Sequence, residues 1–189
     1  MVEAMLAERL NSLGGVGVRS AGVASDGLPA DAAAVRAMAR FSLDIASHRS
    51  RKVTVDDLES ADLVVALDRD CLRTAVVLAP DAWPRAFTLK ELARRGRACG
   101  LRPETQPLPA WVGRAHRGRT RSDLLGSRTD DDVTDPAGGP QRGYDRTAAV
   151  LSSLVAAMIG YFWPDAPALT IMESGLRDRT RRKPVDRPA

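Results

Sequence analysis

The segment ADLVVALD (61–68) is unbroken in apolar residues from Leu63 to Leu67, with an aspartate at either end. A strand with one wet face alternates apolar and polar residues. A continuous run of this length reads instead as a strand buried on both faces, the situation of a parallel sheet covered by helices. The sequence after it agrees. RDCLRTAVVLAP (69–80) has helical spacing, RAFTL (85–89) reads as the last strand, and KELARRGRACG (90–100) returns to a helix. Strands alternating with helices point to an α/β fold built on parallel pairing.

The flanks fit the same scheme. Residues 1–13 form an amphipathic helix with Val2, Met5, Leu6, Leu10 and Leu13 on one face. GGVGVRSAGV (14–23) reads as a turn and a short strand carrying Val16 and Val18. ADAAAVRAMARF (30–41) is an Ala-rich helix, and Thr54 with Asp57 forms a capping box for the short helix VDDLES. Asp68 is expected to cap the helix that follows it. The last helix runs from Tyr144 through Leu151, Val155, Ile159 and Phe162 to Trp163-Pro164, and Tyr144 is expected to pack it against the sheet. Between Leu101 and Asp135 the periodicity dissolves, and the basic cluster Arg114, His116, Arg117, Arg119 and Arg121 reads as a solvated loop.

Charge narrows the function classes. From Arg177 onward, Arg177, Arg179, Arg181, Arg182, Lys183 and Arg187 face only Asp178 and Asp186, which accounts for the whole net charge of +4. Residues 1–176 therefore sum to zero, and the expected organisation is one domain over 1–164 followed by a disordered basic tail over 165–189. A chain body without net charge and with no aromatic-basic platform argues against a nucleic-acid partner. The most apolar window, Leu154–Trp163, is half the roughly 20 residues that span a bilayer, so no membrane partner is expected. Cys71 and Cys99 match no zinc or disulfide pattern, and with no signal peptide at the start a cytoplasmic location is expected.

Four segments in order, VRSAGV (18–23), SHRSRKVTVDDLESADLVVALD (47–68), DVTDPAGGP (132–140) and GYDRTAAVLSSLV (143–155), resemble the low-molecular-weight protein tyrosine phosphatases. The opening MVEAMLAERL resembles the helix that follows the phosphate loop of that family. The resemblance implies a small parallel four-stranded sheet in the order 2-1-3-4, flanked by helices, and hydrolysis of a phosphotyrosine protein or another phosphomonoester without cofactor or metal. In the family a thiolate in the pattern Cys, five residues, Arg attacks phosphorus, and an aspartic acid protonates the leaving oxygen. Asp135 matches that general acid. Ser20 and His48 match positions that brace the phosphate loop. Ala137 and Gly138 stand where the family often has aromatics that wall a phenyl ring.

No nucleophile and no phosphate-binding Arg are found by this pattern, because Val77 lies six residues after Cys71 and Thr105 six after Cys99. The first helix also has no Ser, Thr, Asp or Asn ahead of it to cap its free N–H groups. From these two observations the chain is expected to be truncated at its N-terminus, missing the first strand and the phosphate loop, and inactive as it stands. The alternative is a pseudophosphatase that keeps the fold as a binding or regulatory module.

Overall fold

The apolar run at 61–68 forms a strand, and its partner is the one expected at 85–89. A computed structural model, describing residues 1–11, 15–24, 26–125 and 129–164, places β1 (Val64–Ala66) parallel to β2 (Ala86–Thr88). Val64 lies opposite Ala86, Val65 opposite Phe87 and Ala66 opposite Thr88. Both faces are covered, as the unbroken apolar pattern requires. Ala66 and Ala86 face a small core with Leu72, Val76 and Trp83, whereas Phe87 and Val65 face the main core.

The general α/β character holds, but the four-stranded sheet in the order 2-1-3-4 does not. Among the described residues the sheet has two strands. The segment at Val16 and Val18 keeps an inside-outside alternation, with 16, 18 and 20 half-buried and 17 and 19 exposed, and both valines rest on the main core. It joins no ladder. Its continuation makes a single parallel bridge, in which Gly22 donates to Arg51 O and accepts from Val53 N. Alternation reports which side of a segment is buried, and a strand additionally needs a neighbour's backbone in register.

Helices supply most of the core. On one side of the sheet lies α4 (Arg69–Leu78), capped by Asp68, whose carboxylate accepts from Cys71 N at 2.6 Å. The other side holds α1 (Val2–Leu10), α2 (Ala32–Ala39), α5 (Leu89–Cys99), α6 (Leu108–His116) and α7 (Gln141–Phe162), which together bury Met5, Met38, Leu92, Trp111, Leu151, Val155 and Phe162. The short α3 (Val55–Glu59) opens with the expected capping box between Thr54 and Asp57. No helix among the described residues is long and apolar enough to cross a membrane. The boundary at 164 and the tail at 165–189 lie outside the described residues, as does Leu13.

Two side chains sit elsewhere than expected. Tyr144 is buried, but its hydroxyl donates to Asp31, the N-cap of α2, at 2.9 Å, so it docks α7 on α2 rather than on the sheet. Arg119, taken as part of a solvated loop, is 7% exposed. Its guanidinium lies 3.8 Å from the Trp83 ring centre and 4.0 Å from that of Phe87, and its Nε is 2.8 Å from Glu91 Oε1. It also donates to the Ala86 carbonyl at 2.8 Å. A buried cation is tolerable only with such partners, and here they tie the end of α6 to β2 and α5.

Candidate active site

Ser20 and His48 meet at one atom. The Ser20 hydroxyl donates to Glu3 Oε2 at 2.5 Å, and His48 Nδ1 stands 3.6 Å from the same oxygen. Each arrives by a local device. Ser20 occupies a half-buried position of the extended segment, and His48 follows a turn in which Asp44 accepts from Ala46 N at 2.8 Å and His48 N donates to Ile45 O. Glu3 lies in the first turn of α1, where a carboxylate also suits the helix dipole. Sequence reasoning missed Glu3. Its signal was an acid in the opening turn of an amphipathic helix, a feature too common to single out.

Asp135 lies on a different, strongly pinned loop. Ahead of it, Val133 N donates to Leu67 O at 2.8 Å, just past β1. Asp132 accepts from Arg69 N at 2.8 Å, and Lys90 Nζ, just past β2, donates to the Asp132 carbonyl at 2.5 Å. The buried Asp131 carboxylate bridges Arg69, at 3.3 Å, and Arg94. After Asp135, Gly138 takes a φ of 72° and Gly139 N closes a turn on Pro136 O, leading into α7. The loop is thus fastened at the carboxyl ends of both strands, where open α/β sheets receive ligands.

The Asp135 carboxylate itself is exposed and accepts only from Ala137 N, at 2.9 Å. Among the described residues it makes no hydrogen bond or ion pair with Ser20 or His48. The three residues therefore fall into two groups, one at the start of α1 and one ahead of α7, joined through the packing of α1 on α7.

The thiols belong to neither group. Burial, a hydrogen bond to Asp68 and the charges of Asp68, Asp70 and Asp132 push Cys71 up to about 11. A catalytic thiol needs the opposite environment, electropositive and near a helix or metal that lowers it. Cys99 is half-buried against the main core. No group of three or more His, Cys, Asp or Glu side chains among the described residues is placed to hold a metal ion.

Residues 1–101, just over half of the chain, match the family described as low molecular weight phosphotyrosine protein phosphatase. The chain belongs to that family. The match opens at the first residue, and this corrects the expectation of a chain truncated at its N-terminus: family sequence is recognised from Met1 onward. The cap argument behind that expectation was weak, since a first turn open to water needs no side-chain cap. The probable low molecular weight protein-tyrosine-phosphatase EpsP of Ralstonia nicotianae is 42% identical over 69 residues, which are 36% of this chain and 46% of EpsP. The chain thus spans about half the length of the curated relative it matches. The low molecular weight protein tyrosine phosphatase from T. tengcongensis is 28% identical with a TM-score of 0.59, covering 84% of this chain and 86% of its own. A YwlE mutant from Bacillus subtilis is 27% identical with a TM-score of 0.59, covering 83% and 82%. The family is therefore the one the four segments indicated.

Proposed function

We propose that the domain serves phosphomonoester hydrolysis by its family's chemistry, with Asp135 giving a proton to the departing oxygen as the P–O ester bond breaks and the phosphoryl group passes, in the net reaction, to water. Ser20 and His48, acting through Glu3, brace the segments that frame the anion site. The observation that carries the reading is the fastening of the Asp-Pro loop at the carboxyl ends of β1 and β2, through Leu67, Arg69 and Lys90. An acid on a loop so anchored keeps a constant reach toward a bound ester. The substrate is a phosphotyrosine protein or another phosphomonoester. EpsP is named a tyrosine phosphatase, and Ala137 and Gly138 offer no aromatic wall that would confine the site to a phenyl ring.

A second reading has its own support. The 189 residues hold no cysteine followed six positions on by arginine, and the Cys71 thiol is held at about 11. Residues 1–189 by themselves are therefore expected to show no thiol-dependent turnover, and a pseudophosphatase module is the alternative.

The test uses protein purified from the cell that makes it, with 4-nitrophenyl phosphate and a phosphotyrosine peptide. The first reading expects vanadate-sensitive turnover that falls about 10²-fold or more with Asp135→Asn. Turnover unaffected by that change removes the acid role. Absence of turnover leaves the binding-module reading standing alone.

A further inference from the structure

Beside the Asp135 loop lies a cavity of about 280 Å³ that the chemistry above does not use. The loop residues Thr134 and Pro136 form one wall, Lys90 of α5 another, and Arg142 and Arg146 of α7 a third. Asp135 does not line it, although its neighbours on both sides do.

Its charge is only partly compensated. Arg142 and Arg146 lie one helical turn apart, and among the described residues neither side chain has an ion pair or hydrogen bond. Lys90 donates only to the Asp132 carbonyl, which leaves its positive charge unneutralised. Of the nearby acids, Asp131 is paired with Arg69 and Arg94, and Asp145 with Arg40. Asp132 and Asp135 accept only from backbone N–H groups and keep their charge, but neither lines the hollow. The three cations that do line it favour an anion that enters.

The rest of the lining is apolar, with Val133, Pro140 and Val150 beside the Pro136 ring. A hydrated inorganic anion would leave that surface without a partner, whereas an anion on a short hydrocarbon stem uses both features. The volume is at or below the lower end for small-molecule pockets, enough for one or two side chains. Guanidinium groups match carboxylates in a two-pronged geometry.

We propose that this cavity receives an acidic side chain, Asp or Glu, of the polypeptide substrate near its phosphorylated residue. The proposal rests on the phosphatase reading for bringing a polypeptide to this loop, but its test needs no turnover, so the two fail separately. An unphosphorylated peptide containing Glu, and the same peptide with Gln in its place, are titrated into residues 1–189 by calorimetry and by amide shifts at Gly143, Thr147 and Val150.

The Glu peptide is expected to bind about tenfold more tightly, the size two half-exposed charge pairs supply together. Arg142→Gln with Arg146→Gln should abolish the preference, as should Val150→Glu at the cavity wall. Arg146→Lys should keep part of it, and Arg97→Gln on α5 should leave it intact. Unchanged thermal midpoints in the surface variants exclude unfolding as the cause. Equal affinity for the two peptides overturns the proposal, as does a preference that survives the double substitution. Inorganic phosphate moving the same amides with the Glu peptide's affinity also overturns it, in favour of a free-anion site.

Discussion

The Ser20 hydroxyl donates to the Glu3 carboxylate at 2.5 Å, joining the extended segment after α1 to the first turn of that helix. A hydrogen bond to a charged group contributes about 1.5–3 kcal/mol when its partners are shielded from water, and this one is only part-buried. Ser20→Ala and Glu3→Gln are each expected to lower stability by about 1–2 kcal/mol. The double variant should lose less than the two together, with a coupling of about 1 kcal/mol. Urea unfolding of the four proteins measures it, and strict additivity would show that the two side chains do not act on each other.

That pair also marks how far the sequence could be read. Ser20 and His48 are singled out by the resemblance alone, and Glu3, the group on which they converge, has no pattern of its own. Convergence on an atom depends on how α1 and two loops pack, and periodicity is silent about that. The strand at 64–66 was legible because burial on both faces leaves an unbroken apolar signature. The segment at 16–18 shows the complementary failure. Its alternation correctly marked Val16 and Val18 as inward, yet pairing is a property of two segments, and the ladder expected there is absent among the described residues. The loop around Asp135 was legible as a turn from Asp-Pro and Gly-Gly. Its anchors on Leu67, Arg69 and Lys90 come from distant sequence and carry no local signal.

Arg119 is the plainest misreading, and its partners make it testable. In a cluster of Arg and Gly it has no apolar periodicity, while Trp83, Phe87 and Glu91 lie far away in sequence. Burial lowers the Arg119 guanidinium to about 10, and Glu91 opposes that shift. Removing one member of a buried pair costs about 3–5 kcal/mol because the other charge is stranded. Here Glu91 keeps Arg95 at 3.0 Å, so Arg119→Met is expected at the lower end, about 3 kcal/mol. Adding Glu91→Leu should restore part of the loss. A cost below about 0.5 kcal/mol, the range of ordinary surface changes, would return Arg119 to the solvent.

The Asp57 carboxylate carries the clearest pH signature. It accepts from Arg51 at 2.5 Å and from Thr54 N and Oγ1 at 3.0 and 2.8 Å, and chiefly Arg51, then Thr54, pull it down to about 2. A folded-state value below the unfolded one means that its stabilisation is complete above the unfolded range and is lost as pH falls toward the folded value. The thermal midpoint of Asp57→Asn should therefore lie below that of the parent at neutral pH. The gap should close between about pH 4 and pH 2. A gap that stays constant across that window would mean the carboxylate's charge is not what stabilises α3.

Gly96 sets two known effects against each other. It lies in the middle of α5, where Ala is normally favoured over Gly by about 1 kcal/mol. A Cβ there would meet the Tyr161 ring of α7, 2.8 Å from Cε2 and 3.1 Å from Cγ. The near end of the ring is involved, so relief requires the whole side chain to swing. Overpacking of this kind costs about 1–3 kcal/mol, which is expected to outweigh the helix gain. Gly96→Ala should lower the unfolding midpoint, and Gly96→Ala with Tyr161→Ala should reverse the sign of the Gly96 substitution. A stabilised single variant would show that α5 and α7 yield at this contact.

Cys71 can be tested for the character of a nucleophile. Its backbone N–H donates to Asp68 at 2.6 Å, while burial first, then a hydrogen bond to Asp68 and the charges of Asp68, Asp70 and Asp132, push the thiol from 9.0 to about 11. The thiolate fraction falls tenfold for each unit of that rise, so alkylation by iodoacetamide at pH 7.5 should run about a hundredfold slower than for a free cysteine. Peptide mass analysis of timed samples resolves Cys71 from Cys99. Asp68→Asn should speed the reaction by removing the nearest negative charge, despite the change to the α4 cap. Alkylation of the folded parent at the rate of free cysteine would mean the thiol is far more acidic than its surroundings dictate, and would make Cys71 a candidate nucleophile.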